Sequence, residues 1–173
     1  GAINHAKETD GALHVMGLMS DGGVHSHIDH IKATLALAAS NRLKKIYLHC
    51  FMDGRDVPPT SGSGYVKEME DFIAQGYEDV MSIGVVSGRY YAMDRDKRWE
   101  RVVLAYDALT LGERRQAESG SAAVEFAYAN NETDEFIMPT ICNKEATVKS
   151  GDSIIFCNFR PDRAREITRA FVD

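Results

Sequence analysis

The chain has 173 residues with a formal net charge of −6 at pH 7, and its 44% hydrophobic and 27% charged residues are ordinary for a soluble globular protein. That length suits one domain over residues 1–173, able to bury roughly 70% of its unfolded surface without disulfides or metals as staples. The acidic balance excludes broad nonspecific nucleic-acid binding, and no apolar run approaches the roughly 20 residues of a membrane-spanning helix, so neither nucleic acid nor membrane is expected as a partner.

The opening segment AINHAKE reads as helical, and residues 13–19 (LHVMGLM) form the first apolar, strand-like run. After it, SDGGVHSHIDH gives a turn, and Ser26 with Asp29 makes a capping-box-like start to a helix whose face is Ile28, Ile31, Leu35 and Ala38. Residues 45–52 (KIYLHCFM) are the second strand. The loop DGRDVPPTSGSG then leads to a helix with Val66, Met69, Phe72 and Ile73 on one face, ended by Gly76. Residues 80–87 (VMSIGVVS) are the third strand, and Asp94 reads as the N-cap of a helix facing the core with Trp99, Val102, Val103, Tyr106 and Leu109. A further helix is expected over 122–130, then an irregular hairpin from FIMPTICN and ATVKSGD. Residues 153–159 (SIIFCNF) are the last strand, and RAREITRAFVD closes the chain as a helix. Strand and helix alternate, which predicts an α/β protein, a three-layer α/β/α sandwich with a mainly parallel sheet. Cys50, Cys142 and Cys157 are odd in number and widely spaced, as expected of reduced thiols in a cytoplasmic protein.

In open α/β sheets ligands bind beyond the carboxyl ends of the strands. There the first strand delivers Asp21, Gly22, Gly23 and His25; the second Asp53, Arg55 and Asp56; the third Arg89 and Arg95; the last Arg160 and Arg163. Five arginines thus gather on one rim of an acidic protein. In NFRPDRARE, Pro161 reads as the first helical residue, putting Arg160 at the cap and Arg163 in the first turn; Arg95 likewise follows the cap Asp94. A cation there opposes the helix dipole by about 0.3 to 1 kcal/mol when exposed. A bound anion reverses that sign. Several guanidiniums suit a ligand with two anionic groups, such as a phosphate and a carboxylate. The plainer alternative is that Asp94 and Asp162 pair with these arginines.

His25, His27 and His30 raise the question of a metal, but such a site needs further ligands from later strands, and no histidine follows His49. No metal is expected in this chain. His27 and His30 read as surface or capping residues and His14 and His49 as core histidines. His25, in the loop before the helix, is placed for hydrogen bonding or proton transfer to a ligand, with the glycines letting backbone approach it. Asp56 is held at the rim by the D-G turn and the stiff exit Val57-Pro58-Pro59. It reads either as a general acid/base or as the ion-pair partner of Arg55.

Four motifs together, MGLMSDGGVHSH, FMDGRDVPP, SGRYYAMDRDKRWERV and FCNFRPDRAREIT, resemble the phosphotransferase domain of the cofactor-independent phosphoglycerate mutases over essentially the whole chain. The resemblance implies interconversion of 3-phosphoglycerate and 2-phosphoglycerate in glycolysis and gluconeogenesis. By motif it implies His25, Arg55, Asp56, Arg89, Arg95, Arg160 and Arg163 as substrate-binding residues. Asp56, with His25, is the implied catalytic group for the glycerate hydroxyl proton. It also implies a partner domain, alkaline-phosphatase-like, with two manganese ions and a phosphate-accepting serine. No motif of that domain is found here, so the chain resembles an excised or isolated domain, expected to be monomeric and inactive by itself. The competing readings are a stand-alone anion-binding module without catalysis and a metal-dependent hydrolase built on the histidine cluster.

Overall fold

Each of the four apolar runs forms a strand. The computed structural model describes residues 1–173 as α1 (Ala2–Thr9), β1 (Leu13–Leu18), α2 (Ile28–Ser40), β2 (Ile46–Met52), α3 (Gly62–Ala74), β3 (Met81–Gly88), α4 (Arg89–Ala92), α5 (Trp99–Thr110), β4 (Arg115–Gln116), α6 (Gly120–Ala129), β5 (Thr140–Ile141), β6 (Ser153–Phe156) and α7 (Arg165–Val172). The sheet order is β4-β5-β3-β2-β1-β6. Every pairing is parallel except β3 with β5.

Alternate residues of a strand face opposite sides of the sheet, so buried strands feed two cores. Leu13, Val15, Leu48 and Cys50 pack against α1, α2, α3 and α6. Met16, Leu18, Phe51 and Val85 pack against α4, α5 and α7. The result is the three-layer sandwich with a mostly parallel sheet that the alternation of elements predicts. Register then aligns the strand ends: Leu18 lies opposite Phe51, and Met52 opposite Gly88. The residues leaving β1, β2 and β3 therefore emerge side by side.

Several local expectations are corrected. The 132–152 segment is not a hairpin: β5 adds to β3 and β4 instead, flanked by short 3₁₀ turns at Asp134–Phe136 and Lys144–Ala146. Pro139, which has no N–H to donate to a ladder, immediately precedes β5. Asp134 from this segment is fully buried and accepts from the Tyr128 hydroxyl and from Gly62 N at 2.7 Å, so it caps α3 from 72 residues away.

The other corrections concern where helices begin. The cap of α2 is His27, whose Nδ1 accepts from Asp29 N at 3.1 Å, rather than Ser26. The start of α5 is Trp99, not the residue after Asp94, because the Asp94 carboxylate accepts from Asp96 N and Arg98 N at 3.0 and 2.9 Å and closes a turn of its own. The buried face of α5 is Val102, Ala105, Ala108 and Leu109, with Trp99 and Val103 45% and 44% exposed. A turn over residues 162–164 likewise delays α7 to Arg165.

Candidate functional site

The site rests on Asp53, which β2 delivers to the rim only 1% exposed. Its side chain accepts from Ser20 Oγ (2.6 Å), from Arg55 N and Asp56 N (3.1 and 3.0 Å) and from Arg89 Nη1 (2.8 Å). Burial pushes its pKa up, but the bonds from Ser20 and the two backbone amides, with the Arg89 charge, outweigh it and hold the carboxyl below the ordinary carboxylate value. The two amides make the D-G-R-D segment an Asx-type turn, with Gly54 at φ +66°. Arg89, 3% exposed, donates from the same Nη1 to Asp56 Oδ2 at 2.9 Å. Asp56 therefore pairs with Arg89 rather than with its neighbour Arg55. Gly22 allows a close approach of the protein to itself, since a Cβ there would sit 3.1 Å from the Cβ of Asp56.

The five predicted arginines all lie at this rim but divide into two groups. Arg55, Arg89 and Arg163 line a cavity of about 260 Å³, together with Arg98, Arg101, Tyr90, Phe136 and the carboxylates Asp94, Asp96 and Glu135. Arg95 and Arg160 lie beside it, both donating to Asp162 Oδ2 at 3.1 Å. Asp162 thus pairs with two of the arginines, as the plainer alternative holds. Asp94, by contrast, faces Arg98 and Arg101 at 3.9 and 3.8 Å, not Arg95. None of Arg95, Arg160 and Arg163 belongs to a helix, so the dipole argument does not apply to them.

Arg89 is paired with Asp53 and Asp56 and Arg98 with Asp96 at 3.2 Å, which leaves Arg55 and Arg163 as the weakly paired predicted arginines of the cavity. Arg55 is half exposed, with only Glu135 opposite at 3.7 Å. Arg163 donates to the Met93 carbonyl at 3.1 Å. Burial, then repulsion from Arg89, Arg95 and Arg55, pulls its pKa below the usual guanidinium value. Asp162 offsets part of this repulsion, and a bound anion would offset more, since a guanidinium stays protonated.

His25 is buried, and its carbonyl accepts from Phe159 N at 2.8 Å, tying the turn after β1 to the chain leaving β6. Its Nδ1 has no hydrogen-bond partner and faces Asp162 Oδ1, equally without one, across 3.8 Å. Burial, then the charges of Arg89 and Arg160, lowers the His25 pKa below 6.5 despite Asp162 and Asp56. The ring is therefore neutral at pH 7, able to donate from one nitrogen and accept at the other. Asp56 has one oxygen on Arg89 and the other without a protein donor. A carboxylate fixed by an arginine at the edge of an anion-attracting cavity can accept a proton from a bound hydroxyl.

His27 and His30 take no part, His27 being the α2 cap and His30 exposed. No group of three or more His, Cys, Asp or Glu is placed to hold a metal ion. His14 and His49 are buried in the sheet and bonded to each other (2.9 Å), His14 also to Asp152 (2.9 Å). Sequence reasoning missed Ser20 as a support of Asp53, and Arg98, Arg101 and Tyr90 as cavity walls. The signal for the arginines was their i, i+3 spacing across RWER, which puts them on one side of a helix start.

The model of the BPG-independent PGAM N-terminus matches residues 1–173. The chain is 55% identical over 176 residues to the 2,3-bisphosphoglycerate-independent phosphoglycerate mutase of Clostridium novyi, covering 99% of this chain and 34% of that protein. It is 52% identical over 177 residues to the enzyme of the same name from Moorella thermoacetica, covering 100% and 34%. A crystal structure of Leishmania mexicana phosphoglycerate mutase at low cobalt concentration superimposes with a TM-score of 0.91 at 33% identity, covering 99% of this chain and 33% of that one. The chain thus spans about a third of the length of the relatives it matches.

Proposed function

The chain belongs to the BPG-independent phosphoglycerate mutase N-terminal family, and on that premise we propose that it is the substrate-binding and proton-handling part of an isomerase interconverting 3-phosphoglycerate and 2-phosphoglycerate. The observation that carries this reading is the guanidinium cluster of Arg55, Arg89 and Arg163 beside Asp56, in which Arg89 is paired with Asp53 and Asp56, Arg55 has only Glu135 opposite at 3.7 Å and Arg163 donates to a carbonyl rather than a carboxylate. In this reading the arginines orient the phosphate and carboxylate of the glycerate. Arg95 and Arg160 join them when the ligand displaces Asp162. Asp56, held by Arg89, takes and returns the proton of the glycerate hydroxyl as the phosphoryl group leaves and re-enters, and neutral His25 hydrogen-bonds that hydroxyl or the phosphate.

The residues of this chain do not fit the two manganese ions that the family resemblance implies, since no three potential ligands converge. The metal ions and the phosphate-accepting serine belong, in this reading, to the phosphatase-like remainder of the enzyme. The 173-residue chain alone then binds phosphoglycerate weakly, with a Kd near or above roughly 1 mM, and does not turn it over. A monomeric chain and a cytoplasmic enzyme complete the proposal, the latter in keeping with three free thiols.

Asp56→Asn in a full-length enzyme carrying this segment tests the assignment. It should lower kcat by roughly 10²- to 10⁴-fold with KM little changed, since the amide keeps the acceptor for Arg89 but cannot take a proton. An unchanged kcat would remove Asp56 from catalysis. Turnover by the purified 173-residue chain with manganese would overturn the claim of inactivity in isolation.

A further inference from the structure

Two guanidiniums of the cavity have no role in the reading above: Arg98, which donates to Asp96 Oδ2 at 3.2 Å, and Arg101, both at the start of α5. Arg101 lies over Tyr90, its guanidinium carbon 3.7 Å from the ring centroid. Stacking of this kind uses the face of the guanidinium and fixes its plane, while the five N–H donors stay in that plane. Asp94 is paired with it only at 3.8 Å, beyond hydrogen-bond reach. The Oδ2 of Asp94 is already taken by the amides of Asp96 and Arg98. Arg101 is thus held in place by groups that satisfy none of its donors, on the wall of a cavity shared with Arg55, Arg89 and Arg163.

An isomerase of phosphoglycerates has a use for a second anion position. In 2-phosphoglycerate the phosphate hangs from the carbon next to the carboxylate; in 3-phosphoglycerate it is one carbon farther away. One cavity that holds both isomers meets two different separations between its anionic groups.

We propose that Arg101 forms a further anion-binding position in this cavity and contacts one of the two anionic groups of the phosphoglycerate alongside Arg55, Arg89 and Arg163. The identity of the ligand rests on the function proposed above. The position itself follows from the stacked, unspent guanidinium. Tyr90 acts as a positioning residue, setting the plane in which Arg101 presents its donors.

The test is an NMR titration of the arginine Nε–H signals in the ¹⁵N-labelled 173-residue chain. The probes are 3-phosphoglycerate, inorganic phosphate and D-glycerate, each against chloride at matched ionic strength. Saturable movement of Arg101 with 3-phosphoglycerate, together with Arg55 and Arg163, is the expected result. Arg101→Met, which keeps the stem and removes the fork, should weaken 3-phosphoglycerate roughly tenfold or more, as loss of a charge-assisted contact does. Movement of Arg101 with phosphate alone, or with D-glycerate alone, supports the inference and tells which group it holds. Movement of Arg55 and Arg163 without Arg101, with unchanged affinity in Arg101→Met, overturns the inference and leaves the proposed function standing. Movement of Arg101 with inorganic phosphate but of no arginine with 3-phosphoglycerate keeps the anion position and counts against the phosphoglycerate reading. Silence of every arginine with all three probes overturns both for this chain.

Discussion

Arg89 donates from a single nitrogen to two carboxylates, 2.8 Å from Asp53 and 2.9 Å from Asp56. Asp53 is buried structure and Asp56 a proposed catalytic group, so one guanidinium links the frame of the site to its chemistry. Asp53, fixed by Ser20 and two backbone amides, anchors Arg89, and Arg89 in turn sets the position of Asp56. Breaking a buried pair by removing one partner leaves the other charge uncompensated, at a cost of about 3 to 5 kcal/mol. Arg89→Met should therefore destabilise the fold by about that amount in urea denaturation. A loss below about 1 kcal/mol, the range of exposed pairs, would mean that Asp53 is satisfied without Arg89.

Stability should fall on the acid side in two stages of known sign. His14, His25 and His49 all have pKa values below the ordinary 6.5, through burial first in each case. The unfolded chain binds their protons first, so their contribution is complete above pH 6.5 and declines as pH drops below it. Fully buried His49 should contribute a slope of up to about 1.4 kcal/mol per pH unit, and His49→Gln should flatten the curve between pH 6.5 and 5 by that one proton. Asp53 has its pKa below the ordinary 3.8, so its contribution is present above that pH and is lost as pH falls through the folded value. Denaturation midpoints from pH 8 to 3 would show both stages, and an identical slope in His49→Gln would contradict the first.

Asp162 occupies the place of an anion between Arg95 and Arg160. Asp162→Asn should free both guanidiniums and tighten inorganic phosphate binding several-fold, with a steeper dependence on salt, because screening weakens the interaction in proportion to the charge involved. The same change removes a carboxylate that raises the His25 pKa, so the His25 imidazole should titrate at still lower pH. Phosphate titration and the histidine ¹H NMR signals measure the two effects. Unaltered affinity with an unaltered His25 titration would show that Asp162 does not compete.

Gly54 has a φ of +66°, and a Cβ on it would come within 2.9 Å of Glu135 N. Gly54→Ala should cost about 1 to 2 kcal/mol from the left-handed backbone, more if the 3₁₀ turn of Glu135 cannot move. Because the turn that includes Gly54 donates two amides to Asp53, the variant should also weaken phosphoglycerate binding. Thermal unfolding with a binding titration checks the pair. A fully stable variant would mean that the D-G turn tolerates a side chain.

The sequence by itself determined the four main strands, the alternation that makes a three-layer α/β/α sandwich, and the rim on which Asp56, His25 and five arginines emerge. Buried parallel strands need continuous apolar runs, and LHVMGLM, KIYLHCFM, VMSIGVVS and SIIFCNF supply them. Ligand sites of such sheets lie at strand ends, so the residues following each run were legible from position alone. Partnership was decided only by the tertiary structure. Asp56 is as near in sequence to Arg55 as a residue can be, yet it pairs with Arg89, 33 residues on, because the register of β2 and β3 brings their ends together. Asp94 reads as a helix cap but spends its carboxylate on a turn, which moves the start of α5 to Trp99 and turns Arg98 and Arg101 into walls of the cavity. Local patterns fix periodicity and composition. Which carboxylate meets which guanidinium depends on strand register and loop path, set by packing between residues far apart in the chain.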